Sequence, residues 1–292
     1  MKKNLSIIMA SYNAQEYIEF ALDTIVAQKY SSLEVILIDG VSNDRTLAIV
    51  QEYKNRLALK IVSEKDNGVN DAFRKGFLLA EGDYICHLCA TDGYMDINWI
   101  SKSLKFLMSN NNYSAIFSSG AMEIDESGTP MYLWRPWIRE LYRSLPYSQH
   151  KLVAYASGDI FPDMGWMVSR TVFLELFPEE TDTSGYGEFN PFLGFIKALY
   201  CSTYHFVVLP QIASYGRQHK GQWGSQIQDE TRLTRRDFKN FSRKFLWSLM
   251  FNIPQLCKII LSKFLRFFLF LAYGGIGYYL TKIFERYIND KR

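Results

Sequence analysis

The 292-residue sequence is poor in cysteine and in net charge, and it lacks the glycine-rich motif of dinucleotide-binding enzymes. Its four cysteines, at positions 86, 89, 201 and 257, are too few for a disulfide framework, so we expect a reducing cytosol. A net charge of +3 is too small to indicate a nucleic-acid partner. No Gly-x-Gly-x-x-Gly follows the first apolar run, which excludes a dinucleotide-binding enzyme.

Two of the cysteines, Cys86 and Cys89, have the spacing of a metal or redox motif. Both fall in an apolar run that is typical of a strand, where residues three apart point to opposite faces, so their sulfur atoms should diverge. The sequence also has no second pair that would complete four zinc ligands. We therefore interpret them as ordinary strand residues.

The composition is that of a globular protein, with 48% hydrophobic and 22% charged residues. A chain of this length can bury a large core, as one big domain or one and a half. The residues Met1 to Asn4 lead directly into an apolar run, so we expect no signal peptide. The sequence shows no internal repeat and no low-complexity linker.

Apolar runs alternate with helical patterns over the first ninety residues. The predicted strands are Leu5–Met9, Glu34–Ile38, Leu59–Val62 and Tyr84–Leu88. Helices are predicted after Asn13 (with Glu16 as a capping box), after the Ser42-Asn43-Asp44 cap and from Val69 to Ala80. This alternation predicts an α/β fold with a Rossmann-like, mostly parallel sheet flanked by helices.

The second half is less regular. Its predicted elements are a helix at Trp99–Met108, a strand at Ala115–Ser118, a hairpin pairing Ala121–Ile124 with Met131–Trp134, a helix at Phe192–Leu199, a strand at His205–Leu209 and a polar loop at Tyr215–His219. Residues 136–191 are irregular and rich in glycine, proline and aromatic residues, which is where we expect an acceptor pocket.

Polar residues follow three of the predicted strands: Ser11 to Asn13, Asp39, and Thr91 with Asp92. In an open parallel sheet, ligands bind beyond the carboxyl ends of the strands, so these residues should share one edge. A carboxylate such as Asp92 suits a hard cation or a phosphate–metal pair there. The alternative is that Asp92-Gly93 only forms a turn, and the convergence of three strand ends favours a site.

Several segments together match a known sequence pattern. They are Ser6–Asn13, Gln28–Asp39, Asp39–Thr46 (compared with D-G-x-S-x-D-G-T), Ser63–Ala72 (compared with S-E-x-D-x-G-x-x-D-A), Gly82–Tyr84 and Leu88–Asp92. In these segments the chain resembles glycosyltransferase family 2, which has the GT-A fold, and in particular its branch that builds bacterial surface polysaccharides. The likeness covers about residues 4–220.

The resemblance implies inverting transfer of a sugar from a nucleotide-diphosphate donor to a hydroxyl of a glycan or lipid-linked acceptor, in cell-surface polysaccharide synthesis. It implies that Asp92 binds Mg2+ or Mn2+, because departure of a nucleoside diphosphate develops charge that a cation stabilises. The implied donor-binding residues are Asp39 at the base, Ser11 and Tyr12 beside it, and Asp71, Arg74, Arg217 and His219 near the diphosphate. For Asp71 and Arg74 the alternative is a solvated helix face, and for Asp39 it is a turn that ends a strand.

Inversion by direct displacement requires a general base at the acceptor hydroxyl. The family's base is an acidic residue just before a helix in the second half. Here Gly185–Asn190 precedes the predicted helix at Phe192, which implies Glu188 as the catalytic residue. Asp182 is the competing candidate, and an ordinary surface glutamate is the alternative.

The chain departs from the family at the metal motif. The family has two or three acids there, whereas this chain has Cys89, Ala90 and Thr91 before Asp92. The helix position Arg74 is more often asparagine in the family. These departures leave a second hypothesis open, a catalytically impaired GT-A domain that binds nucleotide sugar or acts as a scaffold.

The sequence predicts a GT-A domain at 1–225, with a nucleotide-binding half at about 1–120 and an acceptor half at about 121–225, followed by a helical tail at 226–292. Two apolar runs in the tail, Phe245–Cys257 and Phe267–Leu280, are shorter than the roughly 20 residues needed to span a bilayer. Basic residues recur before them at helical spacing. We therefore expect a membrane-associated helical extension on the inner, cytoplasmic membrane surface; the alternatives are a buried helical hairpin or a homodimer contact.

Overall fold

A computed structural model describes residues 3–133, 139, 142–157, 165–177 and 191–219. The chain divides into two units, Met1–Arg232 and Leu233–Arg292, and all of the described residues belong to the first. The predicted tail at 226–292 and the predicted base Glu188, with its competitor Asp182, therefore lie outside the described residues. Within the described ranges, no helix combines the length and the apolar character required to cross a membrane.

The described residues form alternating strands and helices. The strands are β1 (Leu5–Ser11), β2 (Leu33–Asp39), β3 (Leu59–Ser63), β4 (Tyr84–Cys89), β5 (Gly93–Tyr94), β6 (Ala115–Ile124), β7 (Pro130–Leu133), β8 (Trp166–Ser169) and β9 (Phe206–Arg217). The helices are α1 (Ile18–Ala27), α2 (Thr46–Glu52), α3 (Val69–Leu78), α4 (Trp99–Ser109), α5 (His150–Ser157), α6 (Arg170–Leu176) and α7 (Pro191–Cys201). The hairpin predicted around residues 125–128 is confirmed as β6 and β7.

The strands form one sheet in the order β3-β2-β1-β4-β8-β6-β9-β5, with β7 added beside β6. The first four strands are parallel, but β8 runs antiparallel to both β4 and β6, and β5 runs antiparallel to β9. The sheet is therefore mixed, and the prediction of a mostly parallel sheet was wrong in the second half. The cause is β8, a four-residue strand from the stretch that was predicted to be irregular.

The reversal at β8 decides where the later strands end. Because β8 is antiparallel to both of its neighbours, β6 runs in the same direction as β4, and β9 is parallel to β6. The carboxyl ends of β1, β2, β4, β6 and β9 therefore point the same way along the sheet. Helices cover both faces, as predicted.

Two apolar clusters fill the space between the helices and the two sheet faces. Alternate β1 residues divide between them: Ile7 and Met9 belong to the cluster with α1 and α4, and Ile8 belongs to the cluster with α3. The paired cysteines divide in the same way, with Cys86 in the first cluster and Cys89 packed against the second. Their predicted divergence is confirmed, and both are free thiols.

His87 lies on the α3 side of β4 and is surrounded by aromatic rings. Its ring centroid is 4.4 Å from that of Phe73, 5.1 Å from Trp166 and 6.4 Å from Phe77. Burial lowers the pKa of His87 to about 3. The imidazole is therefore neutral in the folded protein at any physiological pH, whereas the unfolded chain protonates it near its ordinary pKa.

This difference predicts a specific acid sensitivity. Because the folded pKa is depressed, stability is highest above the unfolded pKa and falls as the pH drops from about 6.5 toward 3. Between pH 7 and pH 4.5, the free energy of unfolding should fall by about 2–3 kcal/mol more in wild type than in His87→Phe. Urea unfolding at both pH values measures it, with the exposed His205→Gln as control. Equal acid sensitivity in wild type and His87→Phe would contradict the assignment.

Candidate active site

The strand ends meet as the sequence predicted. Ser11, the last residue of β1, pairs with Asp39, the last residue of β2. On its other side, β1 pairs Ala10 with Cys89, the last residue of β4, and Asp92 follows three residues later. The polar ends of three parallel strands thus lie side by side at one edge of the sheet.

Asp39 is fully buried and holds this edge together. Its Oδ1 accepts hydrogen bonds from the hydroxyls of Ser11 and Ser42, and its Oδ2 accepts them from the Ser42 amide at 2.9 Å and the Ser63 hydroxyl at 2.8 Å. A carboxylate offers about four lone-pair positions, so these four donors fill it. The groups come from the ends of β1 and β3 and from the loop after β2.

The loops after β1 and β2 are joined by reciprocal hydrogen bonds. The Asn13 amide donates to the Ser42 hydroxyl, and the Asn43 amide donates to Asn13 Oδ1, both at 2.9 Å. Asn13 has a positive φ of 46°, which its side chain tolerates through local bonding. The predicted capping box was wrong, because α1 begins at Ile18 and the Asn13 side chain binds the neighbouring loop instead.

Two exposed apolar side chains border this interlocked pair of loops. Tyr12 is 65% exposed and Val41 is 54% exposed. Val41 has a φ of 64°, a strained conformation for a β-branched residue of the kind that clusters at ligand sites. Gly40 lies close to both loops, because a Cβ added there would lie 2.8 Å from Asp66 Oδ2 and 3.4 Å from the Tyr12 ring, so a larger residue would displace these side chains. Asp66 is thus a site residue to which sequence reasoning gave no role.

Asp71 and Arg74 lie in α3, whose amino end follows β3 at the same edge. Asp71 Oδ2 accepts the Asn67 amide at 3.0 Å and pairs with Lys75 Nζ at 3.2 Å. Lys75 also pairs with Glu64 at 3.0 Å. In this structure the Asp71 carboxylate therefore fixes the loop before α3, and Arg74 is half-buried.

Asp92 is almost completely buried, with 4% of its surface exposed. Its Oδ1 accepts the Arg217 amide at 3.1 Å and the Thr91 hydroxyl at 3.3 Å. Burial, together with the nearby negative charge of Glu123, raises the pKa of Asp92 to about 7, although the hydrogen bond from the Arg217 amide opposes the rise. A bound cation would therefore stabilise the charged form of this buried carboxylate.

Arg217 is the last residue of β9, so the predicted polar loop at 215–219 was wrong over its first three residues. Its Nη1 donates to the carbonyls of Asp125 at 3.2 Å and Glu126 at 2.8 Å, in the turn between β6 and β7. Its guanidinium lies 5.1 Å from the centre of the Tyr17 ring, and the His219 ring packs on the same tyrosine with centroids 5.1 Å apart. Both residues thus reach the site edge through contacts with α1 and the hairpin.

Glu123 is an acidic group that sequence reasoning missed. It is half-buried at the end of β6, where its Oε2 accepts Gln218 Nε2 at 2.9 Å. Nothing in the local sequence marks it, because a single glutamate in a hairpin strand ordinarily faces solvent. Only the pairing of β6 with β9 brings it to the neighbourhood of Asp92.

The family model for glycosyl transferase family 2 matches residues 6–177, more than half of the chain, and the chain belongs to this family. A glycosyltransferase of Haemophilus influenzae is 33% identical over 116 residues, which cover 39% of this chain and 36% of that protein. TuaG of Bacillus subtilis, assigned by its name to teichuronic acid biosynthesis, is 31% identical over 134 residues, 44% of this chain and 51% of that protein. The matches thus span about half of these relatives or less.

Solved structures share the fold. The S. aureus TarS fragment 1-349 in complex with UDP-GlcNAc has a TM-score of 0.57 at 18% identity, covering 83% of this chain and 65% of that one. The mannosyltransferase PcManGT from Pyrobaculum calidifontis, in complex with GDP-Man and Mn2+, has a TM-score of 0.55 at 19% identity. The match covers 77% of this chain and 60% of that one. The fold is thus GT-A-like, an α/β fold with a mixed sheet flanked by helices.

The site suits a magnesium or manganese ion in its chemistry. Asp92 offers hard carboxylate oxygen, the ligand type that Mg2+ and Mn2+ prefer. Within the described ranges, no three histidine, cysteine or acidic side chains form a cluster that could hold a metal by themselves. Mg2+ commonly uses one or two carboxylates together with substrate phosphates, so Asp92 fits such an ion only in the company of a diphosphate.

The exposed ring of Tyr12, next to Gly40, predicts a role in base stacking. We expect Tyr12→Ala to weaken binding of the preferred nucleoside diphosphate about tenfold, the scale of one base–aromatic contact. Calorimetric titration with UDP and GDP measures it, and Tyr132→Ala, an exposed tyrosine on β7, is the matched control. If Tyr12→Ala binds the nucleoside diphosphate as tightly as wild type does, the nucleotide base does not stack on Tyr12.

Proposed function

We propose that this chain is an inverting glycosyltransferase that moves a sugar from a nucleotide-diphosphate donor to a hydroxyl of a lipid-linked glycan acceptor during cell-surface polysaccharide synthesis. The observation that carries the proposal is the meeting of Ser11, Asp39 and the Asp92 loop at one edge of a GT-A-like sheet. Membership of family 2 and the name of the TuaG relative support the class of product.

In this proposal the loops after β1 and β2 bind the nucleoside. Asp39 accepts from the base once one of its serine donors turns away, Ser11 lies beside it, and the Tyr12 ring covers the base. Two structural neighbours were solved with UDP-GlcNAc and GDP-Man, which supports a nucleotide sugar as donor. The reciprocal bonds between the loops hold this pocket in shape before the donor arrives.

Asp92 would hold Mg2+ or Mn2+ against the donor diphosphate. A bound cation neutralises the negative charge that develops on the leaving diphosphate. We propose that Arg74, Arg217 and His219 add positive charge or hydrogen bonds on the same side, with Asp71 fixing the loop before α3. Arg217 already positions Asp92 through its amide.

Glu188 would remove the proton from the acceptor hydroxyl as the sugar carbon is attacked, with Asp182 as the competing base. An inverting displacement needs one such base on the acceptor side, and both residues precede α7 in the sequence. This assignment rests on the family resemblance alone.

A second candidate function is a catalytically impaired domain that binds nucleotide sugar or serves as a scaffold. The observation that favours it is the metal motif, in which Cys89, Ala90 and Thr91 precede a single acid. The two candidates differ in whether the donor sugar is turned over, so an activity assay separates them.

Asp92→Asn tests the proposed role of Asp92. We expect about a 100-fold or greater loss of sugar transfer, because a preorganised charge-stabilising group typically contributes this much. The measurement is release of nucleoside diphosphate from UDP- and GDP-sugars in the presence of membrane extract, with Mn2+ or with chelator. Asp83→Asn, an exposed acid at the opposite edge of the sheet, is the control.

Equal turnover in Asp92→Asn and wild type would remove Asp92 from the mechanism. Binding of nucleotide sugar without any turnover in wild type would support the scaffold candidate instead.

The tail at 226–292 leads us to propose that the protein is peripheral to the inner face of the cytoplasmic membrane. Basic residues at helical spacing, followed by short apolar runs, suit the surface of an anionic bilayer. A chain truncated after residue 230 should no longer sediment with vesicles containing phosphatidylglycerol, whereas the full chain should. Undiminished binding of the truncated chain would contradict the interfacial tail.

A further inference from the structure

The metal motif of this chain lacks acids at the three positions before Asp92. A site for Mg2+ or Mn2+ with one carboxylate relies heavily on the phosphates for binding. Glu123, an acid from another part of the chain, is brought to the neighbourhood of Asp92 by the pairing of β6 with β9.

The strand register places Glu123 and Asp92 on the two sides of one glycine. Glu123 of β6 pairs with Gly216 of β9, and Gly93 of β5 pairs with Tyr215 on the other side of β9. Asp92 therefore stands beside Gly216, as its bond from the Arg217 amide also indicates. Two strand spacings separate the two acids, so their Cα atoms are about 10 Å apart.

Paired residues on neighbouring strands point to the same face of a sheet. Gly216 has no side chain, so no side chain of β9 stands between the two acids at this row. Ser214, two residues earlier on β9, lies on the same face of that strand. Ser214 is fully buried, and its hydroxyl has no hydrogen-bond partner among the residues that the structure describes. A buried hydroxyl without a partner costs free energy unless a ligand or water satisfies it.

Both acids are in surroundings that make their charges costly. Asp92 is almost completely buried, and Glu123 is half-buried at the end of β6. Arg217 donates Nη1 to the turn carbonyls of Asp125 and Glu126. A divalent cation between two neighbouring carboxylates offsets the repulsion between their charges.

We propose that Glu123 is a second carboxylate for the divalent cation of this site, acting with Asp92 across Gly216 in place of the acids missing at 89–91. This inference rests on the proposed function, since it concerns the ion that accompanies the donor diphosphate. The strand pairing of β6, β9 and β5 brings the two acids together from positions 92 and 123, and the Gln218 side chain orients Glu123.

The test is titration of the full chain with Mn2+, in which the electron paramagnetic resonance signal of free Mn2+ reports how much ion is bound. The titration is done without nucleotide and again with UDP or GDP. Glu123→Gln keeps the shape of the side chain and removes its charge. We expect it to weaken Mn2+ binding about 10–100-fold, the usual scale for loss of a supporting ligand. Glu126→Gln, an exposed glutamate three residues along the same hairpin, is the matched control and should leave Mn2+ affinity unchanged.

A double variant separates a shared ion from two independent effects. If Asp92 and Glu123 hold one cation, Asp92→Asn with Glu123→Gln should bind Mn2+ no more weakly than the weaker single variant. Thermal unfolding in chelator shows whether the fold is retained, and Glu123→Gln should not lower the melting temperature because it removes a repulsion. Mn2+ affinity equal to wild type in Glu123→Gln, or no Mn2+ binding by wild type, would overturn the inference.

These outcomes are distinct from failure of the proposed function. Binding of UDP or GDP in chelator and turnover of donor sugar report on that function without reference to Glu123. Turnover with normal Mn2+ affinity in Glu123→Gln would overturn only the inference, whereas Mn2+ binding lost in Glu123→Gln with no nucleotide bound by wild type would overturn only the function.

Discussion

The buried carboxylate of Asp39 is the interaction on which this edge of the molecule depends. It accepts four hydrogen bonds, one from the end of β1, two from the loop after β2 and one from the end of β3. An unpaired buried carboxylate would be costly, so the three segments must assemble around it together. The result is a polar edge formed by groups far apart in sequence, with the exposed ring of Tyr12 and the strained Val41 at its border.

The second half of the chain completes this edge through a reversal of direction. Because β8 is antiparallel to both β4 and β6, the long strands β6 and β9 end on the same side as β1 and β2. The end of β9 then supplies the amide that binds Asp92, and the end of β6 supplies Glu123. One short strand thus determines which acidic and basic groups surround the position where a donor diphosphate would lie.

Much of this arrangement could be predicted from sequence where local signals are strong. The continuous apolar runs before Ser11 and Asp39 predicted parallel strands whose polar ends would meet, and they do. The four residues of β8 carry no such signal, and in the fold Trp166 and Val168 pack in the apolar cluster on the α3 side of the sheet. Asn13 shows a related failure, because its side chain has two possible partners and the neighbouring loop prevails over the helix end. The role of Glu123 could not be predicted from local sequence either, because it depends on the long-range pairing of β6 with β9.

The central claim is that the ends of β1, β2 and β4 together form one binding site for the nucleotide diphosphate of a sugar donor. Hydrogen–deuterium exchange of the full chain, with and without UDP or GDP in the presence of Mn2+, tests this most directly. The account predicts that one of these nucleotides slows exchange jointly in residues 11–15, 39–46 and 91–94, because all three segments surround the same ligand. Protection confined to another part of the chain, or protection of only one of these segments, would contradict it.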